Sequence, residues 1–153
     1  MPFGGLILTW DKAGSAAVVG LTKVSSPSTS AKTAPFILVV EDELLVRIMV
    51  SDFLREAGYH VIEACNADEA VSILNSGTRI DLVLTDVRMP GSMDGLGLLQ
   101  YLQDRSPRLP VILTSGHLLP ADAIARGAAH FLGKPYSLDY AVSLVELELS
   151  KAS

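Results

Sequence analysis

From Pro35 onward the chain alternates five times between a short apolar run and a stretch with helical spacing, and that alternation leaves few folds open. The short runs are FILVV at 36–40, residues 59–63 centred on Val61 and Ile62, LVL at 82–84 leading to Asp86, PVILT at 110–114, and the brief His130–Leu132. Each is too short for a buried helix, and the uninterrupted ones suit strands covered on both faces. Between and after them lie five helical stretches. Leu44–Ala57 carries Leu45, Ile48, Met49, Phe53 and Leu54 at helical spacing and is closed by Gly58. A second helix, capped by Asn66, carries Ala70, Val71, Ile73 and Leu74 and ends at Gly77. Leu96–Leu102 turns Leu98, Leu99 and Leu102 inward and stops at Ser106 and Pro107. A short helix near Ala121–Arg126 ends at Gly127, and Ser137 caps a last one with Val142, Leu144, Val145 and Leu149 apolar. The pattern predicts an α/β fold: a flavodoxin-like, doubly wound, five-stranded parallel sheet in the order 2-1-3-4-5, with helices on both faces.

Residues 1–34 read differently. Thr22–Thr33 is mostly Ser, Thr, Ala and Lys around Pro27, too polar to offset the entropy of ordering it. Leu6, Ile7, Leu8 and Trp10 are apolar enough for a short strand or an adhesive patch. The expectation is a flexible N-terminal extension over 1–34 and one folded domain over 35–153, which 153 residues at 49% hydrophobic can supply with a core. A net charge of −5 argues against a nucleic-acid partner held by its phosphates. The single cysteine, Cys65, excludes an internal disulfide and reads as a small buried hydrophobe. No apolar run is long enough to span a bilayer, and residues 3–10 lack the features of a secretion signal. A cytoplasmic protein without membrane contact is expected.

Parallel strands joined by right-handed crossovers deliver their carboxyl ends to one rim. That rim collects Glu41 and Asp42 after the first run, Asp86 at the end of the third, Ser115 after the fourth and Lys134 after the fifth. Singly, each has a plain structural explanation: acids at a helix start, a solvent-exposed strand-ending Asp, a turn serine, a solvated lysine. Together, crowded carboxylates require a cation, and hard oxygen donors without clustered His or Cys select Mg²⁺. The set fits phosphoryl transfer to an aspartate. Asp86 would be the nucleophile; Asp42, Asp86, Glu41 and the Arg88 backbone carbonyl would hold Mg²⁺; Lys134 and Ser115 would contact the phosphoryl oxygens.

From about Pro35 to Lys151 the chain resembles the receiver domain of two-component response regulators, through FILVVEDE, DLVLTDVRMP, PVILTS and FLGKPY in that order. The resemblance implies a phosphorelay role with a histidine kinase or histidine phosphotransfer protein as donor and a downstream protein target. It implies single-turnover self-phosphorylation and slow self-dephosphorylation rather than enzymatic turnover. It also implies a switch in which Ser115 moves inward and Phe131 follows, although Phe131 equally suits core packing. Arg88 and His117 stand where the family varies and are read as tuning phosphoryl lifetime, or else as solvated side chains. The PGSMDG turn is one residue longer than the commonest family form, so the loop after Asp86 should sit differently over the metal. Because the last helix runs to the end of the sequence, a stand-alone receiver is expected, with a receiver module derived from a hybrid histidine kinase as the alternative. An aspartate-nucleophile phosphatase would need a second acid where Arg88 stands. Leu45 with Ile48, or Val46 with Met49, would face a partner's helices, or all four would pack in the core. His60 and His130 read as isolated and structural.

Overall fold

The computed structural model describes residues 33–151 and the backbone of Thr9–Trp10 and Ala16–Ala17. The chain divides into two units, 1–32 and 33–153. In the first, Thr9–Trp10 pairs antiparallel with Ala16–Ala17. The flexible extension expected over 1–34 otherwise lies outside the described residues.

The second unit is the expected sheet. Strands β1 (Phe36–Val40), β2 (His60–Ala64), β3 (Leu82–Asp86), β4 (Val111–Ser115) and β5 (His130–Gly133) are all parallel, in the order β2-β1-β3-β4-β5. Helices α1 (Leu44–Glu56), α2 (Ala67–Asn75), α3 (Gly95–Arg105), α4 (Pro120–Ala125) and α5 (Leu138–Ser150) alternate with them. The pleat sends successive side chains to opposite faces, so one strand feeds two cores. Leu38, Val40, Val83 and Leu113 pack with α2 and α3 residues such as Ala70, Leu98 and Leu102. Ile37, Val39, Leu84, Ile112 and Leu132 pack with Val50 and Leu54 of α1 and Leu144 and Val145 of α5. Each fully buried Leu or Ile contributes about 1.5–3 kcal/mol, which offsets the ordering of a doubly covered sheet.

Helix starts follow local chemistry. Asn66 Oδ1 accepts from Glu69 N (2.8 Å) while Glu69 Oε2 accepts from Cys65 N (2.7 Å), two otherwise orphaned donors met reciprocally. Asp94 caps α3 through Gly97 N (2.9 Å), which starts that helix one residue before Leu96. Strand β2 begins at His60, not residue 59, because Tyr59 N still donates to Leu54 O to close α1, and His60 is the first residue in register with β1. Strand β5 extends through Gly133, opposite Ser115, one residue past the expected end.

Of the alternatives weighed for α1, Leu45 with Ile48 is the outward pair, and two other readings of side-chain placement are corrected. Helix α1 buries Val50, Ser51 and Leu54, whereas Leu45 (75% exposed), Ile48 and Met49 face outward. Two apolar stripes of the same period run along this helix, and spacing alone cannot say which one meets the sheet. Cys65 is exposed, because the pleat turns Ala64 inward and Cys65 already belongs to the turn. The histidines are not isolated: His60 stacks on Phe36 with ring centroids 4.6 Å apart, and His130 Nε2 lies 2.7 Å from Glu148 Oε1.

Candidate phosphoryl-acceptor site

The carboxyl rim brings the predicted acids and amine together. Glu41 extends the β1–β2 ladder by donating its N–H to Ala64 O (3.1 Å), which draws its side chain into the site at 5% exposure. Arg47, one turn into α1, donates to Glu41 O (2.7 Å) and lies 3.4 Å from Glu63 of β2, so the acidic turn is held from both sides. Asp42 follows, exposed. Glu41, Asp42 and Asp86 each offer a carboxylate oxygen, and these oxygens lie within 4.8 Å of one another. Lys134 Nζ, arriving from the end of β5, bridges Glu41 Oε2 at 2.9 Å and Asp86 Oδ1 at 3.2 Å. The peptide bond between Lys134 and Pro135 is cis.

Asp86 is buried (7% exposed), not solvent-exposed as its strand-end position suggested. The cause is tertiary: Lys134 covers one oxygen, Thr114 stands in register beside it on β4, and the turn folds back so that Gly95 N donates to Val87 O at 2.9 Å. Thr114 Oγ1 reaches Asp86 Oδ1 at 3.5 Å, a weak hydrogen bond. Thr114 and the neighbouring Tyr136, whose hydroxyl burial pushes upward in pKa, were not picked out from the sequence. The register partner of Asp86 and the aromatic two residues after Lys134 were the available signals.

Ser115 is buried at the end of β4, and its Oγ accepts from His117 N and Leu118 N, both at 3.2 Å. In this state the hydroxyl shapes the turn before α4. Phe131 is half-buried on β5 and packs against the α2–α3 core. The Arg88 and His117 side chains are exposed, and neither makes a hydrogen bond or ion pair among the described residues.

Burial raises the Asp86 pKa and Lys134 only partly draws it back, with Asp42 adding to the rise. Glu41 behaves alike: burial raises it, Lys134 opposes, and Asp86 reinforces. Burial alone would lower Lys134, but Glu41 and Asp86 outweigh it and hold the ammonium up. The sign of the linkage follows. An acid with a raised folded pKa stabilises the fold fully below its ordinary value (3.8 for Asp, 4.5 for Glu) and loses that contribution as pH rises through the folded value. In metal-free melts Asp86→Asn should therefore exceed wild type in Tm at neutral pH, with the gap narrowing toward pH 3.8. A gap that does not change with pH would overturn the attribution to a raised Asp86.

Three carboxylates against one ammonium leave two negative charges once all are ionised, matching one divalent cation, and an all-oxygen donor set suits Mg²⁺. A family model of the response regulator receiver domain matches residues 37–146. The chain is 39% identical over 115 residues to the DNA-binding transcriptional regulator NtrC of Salmonella typhimurium, covering 73% of this chain and 24% of that protein. The chain thus spans about a quarter of the length of the curated relatives it matches. Among solved structures, the receiver domain of NtrX from Brucella abortus superposes with a TM-score of 0.69 at 36% identity, over 74% of this chain and 98% of that one. The Francisella response regulator 1452 receiver domain does so at 0.73 and 24% identity, covering 78% and 99%, and supports the fold alone. The chain belongs to the response regulator receiver domain family, and with it to two-component signalling. No described helix is long and apolar enough to cross a membrane.

Proposed function

We propose that this chain accepts a phosphoryl group on Asp86 from the phosphohistidine of a histidine kinase or histidine phosphotransfer protein, and that the added charge changes which protein partner it binds. The observation that carries this reading is the Lys134 bridge between two buried carboxylates beside a third. An Asp86 oxygen attacks phosphorus, the bond from the donor's imidazole nitrogen to phosphorus breaks, and the nitrogen keeps the electron pair. Glu41, Asp42, Asp86 and the Arg88 carbonyl would hold Mg²⁺, which would supply positive charge for the phosphoryl oxygens. Once Asp86 carries the phosphoryl group as an acyl phosphate, Lys134 exchanges its contact there for a phosphoryl oxygen. The Ser115 hydroxyl leaves its two backbone donors to bind another, and Phe131 fills the space behind it.

Helix α1 and the segment after Lys134 give the donor a surface. Val46, Met49, Pro135, Tyr136 and Leu138 line an apolar groove of about 430 Å³ that reaches Lys134. We take residues 35–153 as the receiver, and limited proteolysis should leave that portion intact.

The test is incubation with Mg²⁺ and a small acyl phosphate, followed by intact-mass measurement. One phosphate per chain is expected, and none when Mg²⁺ is chelated. No adduct in Mg²⁺, or one that maps away from Asp86, would end the proposal. Arg88 and His117, exposed beside the site, govern water access to the bound phosphoryl group. Arg88→Ala and His117→Ala should each change its decay rate about 3–10-fold, the scale of one net hydrogen bond. Unchanged decay in both would remove them from the mechanism.

A further inference from the structure

The loop that follows Asp86, residues 87–94, is anchored at both ends. Val87 N donates to Thr114 O and Gly95 N to Val87 O, each at 2.9 Å. Between those anchors, among the described residues, the hydrogen bonds reaching residues 88–93 all come from Ser92 and end on one side chain, Asp68 of α2. Ser92 N donates to Asp68 Oδ2 at 3.0 Å and Ser92 Oγ donates to Asp68 Oδ1, so both carboxylate oxygens are used. These bonds hold the Asp68 pKa down. Gly91 makes the approach possible. Its φ is +126°, and a Cβ there would lie 2.6 Å from Asp68 Oδ2. Met89 and Met93 pack against the core beneath, but methionine side chains are adaptable and fix a backbone poorly.

Asp68 and Ser92 are 24 residues apart and both exposed, so the contact lies outside the core. What it does is tie the turn PGSMDG to α2. We propose that Asp68 is a positioning residue for the acceptor site: its carboxylate latches the β3–α3 loop through Ser92 and thereby sets how firmly the Arg88 carbonyl is presented to Mg²⁺. This rests on the reading of Asp86 as a Mg²⁺-dependent phosphoryl acceptor. A carbonyl ligand on a loose loop must be ordered when the ion binds, and that entropy weakens affinity. Holding the loop beforehand removes the cost.

The test is calorimetric titration of Mg²⁺, without phosphodonor, into full-length wild type, Ser92→Ala, Asp68→Ala, the double variant and Ser92→Thr, with metal-free melting of each. The alanine variants should bind Mg²⁺ about tenfold more weakly, at the low end of what partners outside the ligand set cost. The double variant should be no worse than either single one, because both remove the same contact. Ser92→Thr, which keeps both donors, should bind as wild type, and metal-free Tm should be alike in all five. In phosphorylation assays the half-saturating Mg²⁺ concentration should rise while the rate at saturating Mg²⁺ holds. If wild type binds Mg²⁺ and the alanine variants match it, or if only their Tm falls, the latch is overturned and the acceptor reading stands. Failure of wild type to bind Mg²⁺ sinks both.

Discussion

Asp86→Asn should leave the chain folded and unable to carry phosphate. The amide has the same shape, can still accept from Lys134 and Thr114, and removes a buried charge whose proximity raises the Glu41 pKa. Folding therefore survives and the melting temperature rises, as argued above for neutral pH. Chemistry does not survive, because a neutral amide oxygen is a poor nucleophile toward phosphorus and one of the three carboxylates around the metal position is gone. Adduct formation from a small acyl phosphate should fall by more than about 10³-fold, the scale expected when a nucleophile is removed. The two effects run in opposite directions, which makes the result hard to mistake for misfolding. Intact mass and a thermal melt on the same sample measure both. A mutant that gains phosphate as wild type does would show that Asp86 is not the acceptor.

Gly95→Ala should be the most damaging single methyl group this chain can receive near the site. A Cβ at Gly95 would stand 2.0 Å from Asp86 O and 2.9 Å from both Asp86 C and Val87 Cα. All three are backbone atoms, so no rotamer change relieves the clash. Either α3 moves off the sheet or the acceptor strand end is displaced. The Gly95 backbone itself has no positive φ, so the cost comes from close approach rather than from an unfavourable conformation. Overpacking of this kind costs about 3 kcal/mol or more, at the top of the usual range. Urea unfolding should show it as a lower midpoint with an unchanged slope. Wild-type stability in this variant would mean that α3 does not rest on the Asp86 carbonyl.

The rim residues were legible in the sequence because they sit at strand ends, and strand ends follow from where apolar runs stop. Glu41, Asp42, Asp86 and Lys134 needed only the order of the strands to be brought together. Sequence left open whether Leu45 with Ile48 or Val46 with Met49 faces out, because α1 has two apolar stripes and only the sheet chooses between them. Asp86 is buried because Lys134, Thr114 and a returning turn close over it, and Thr114 and Lys134 are 28 and 48 positions away. Thr114, Tyr136, Gly95 and the Asp68–Ser92 pair escaped notice for that reason: their importance lies in what they touch.

From the residues alone came the alternation of elements, the order of the sheet and the chemistry gathered at its rim. All three depend on local apolar period and on the handedness of crossovers, and both act along the chain. Folding in three dimensions settled which face of α1 is free, how deeply the acceptor carboxylate lies, and which distant side chain holds the loop beside it. Those are distances between segments remote in sequence, set by packing and hydrogen bonding that no spacing rule contains.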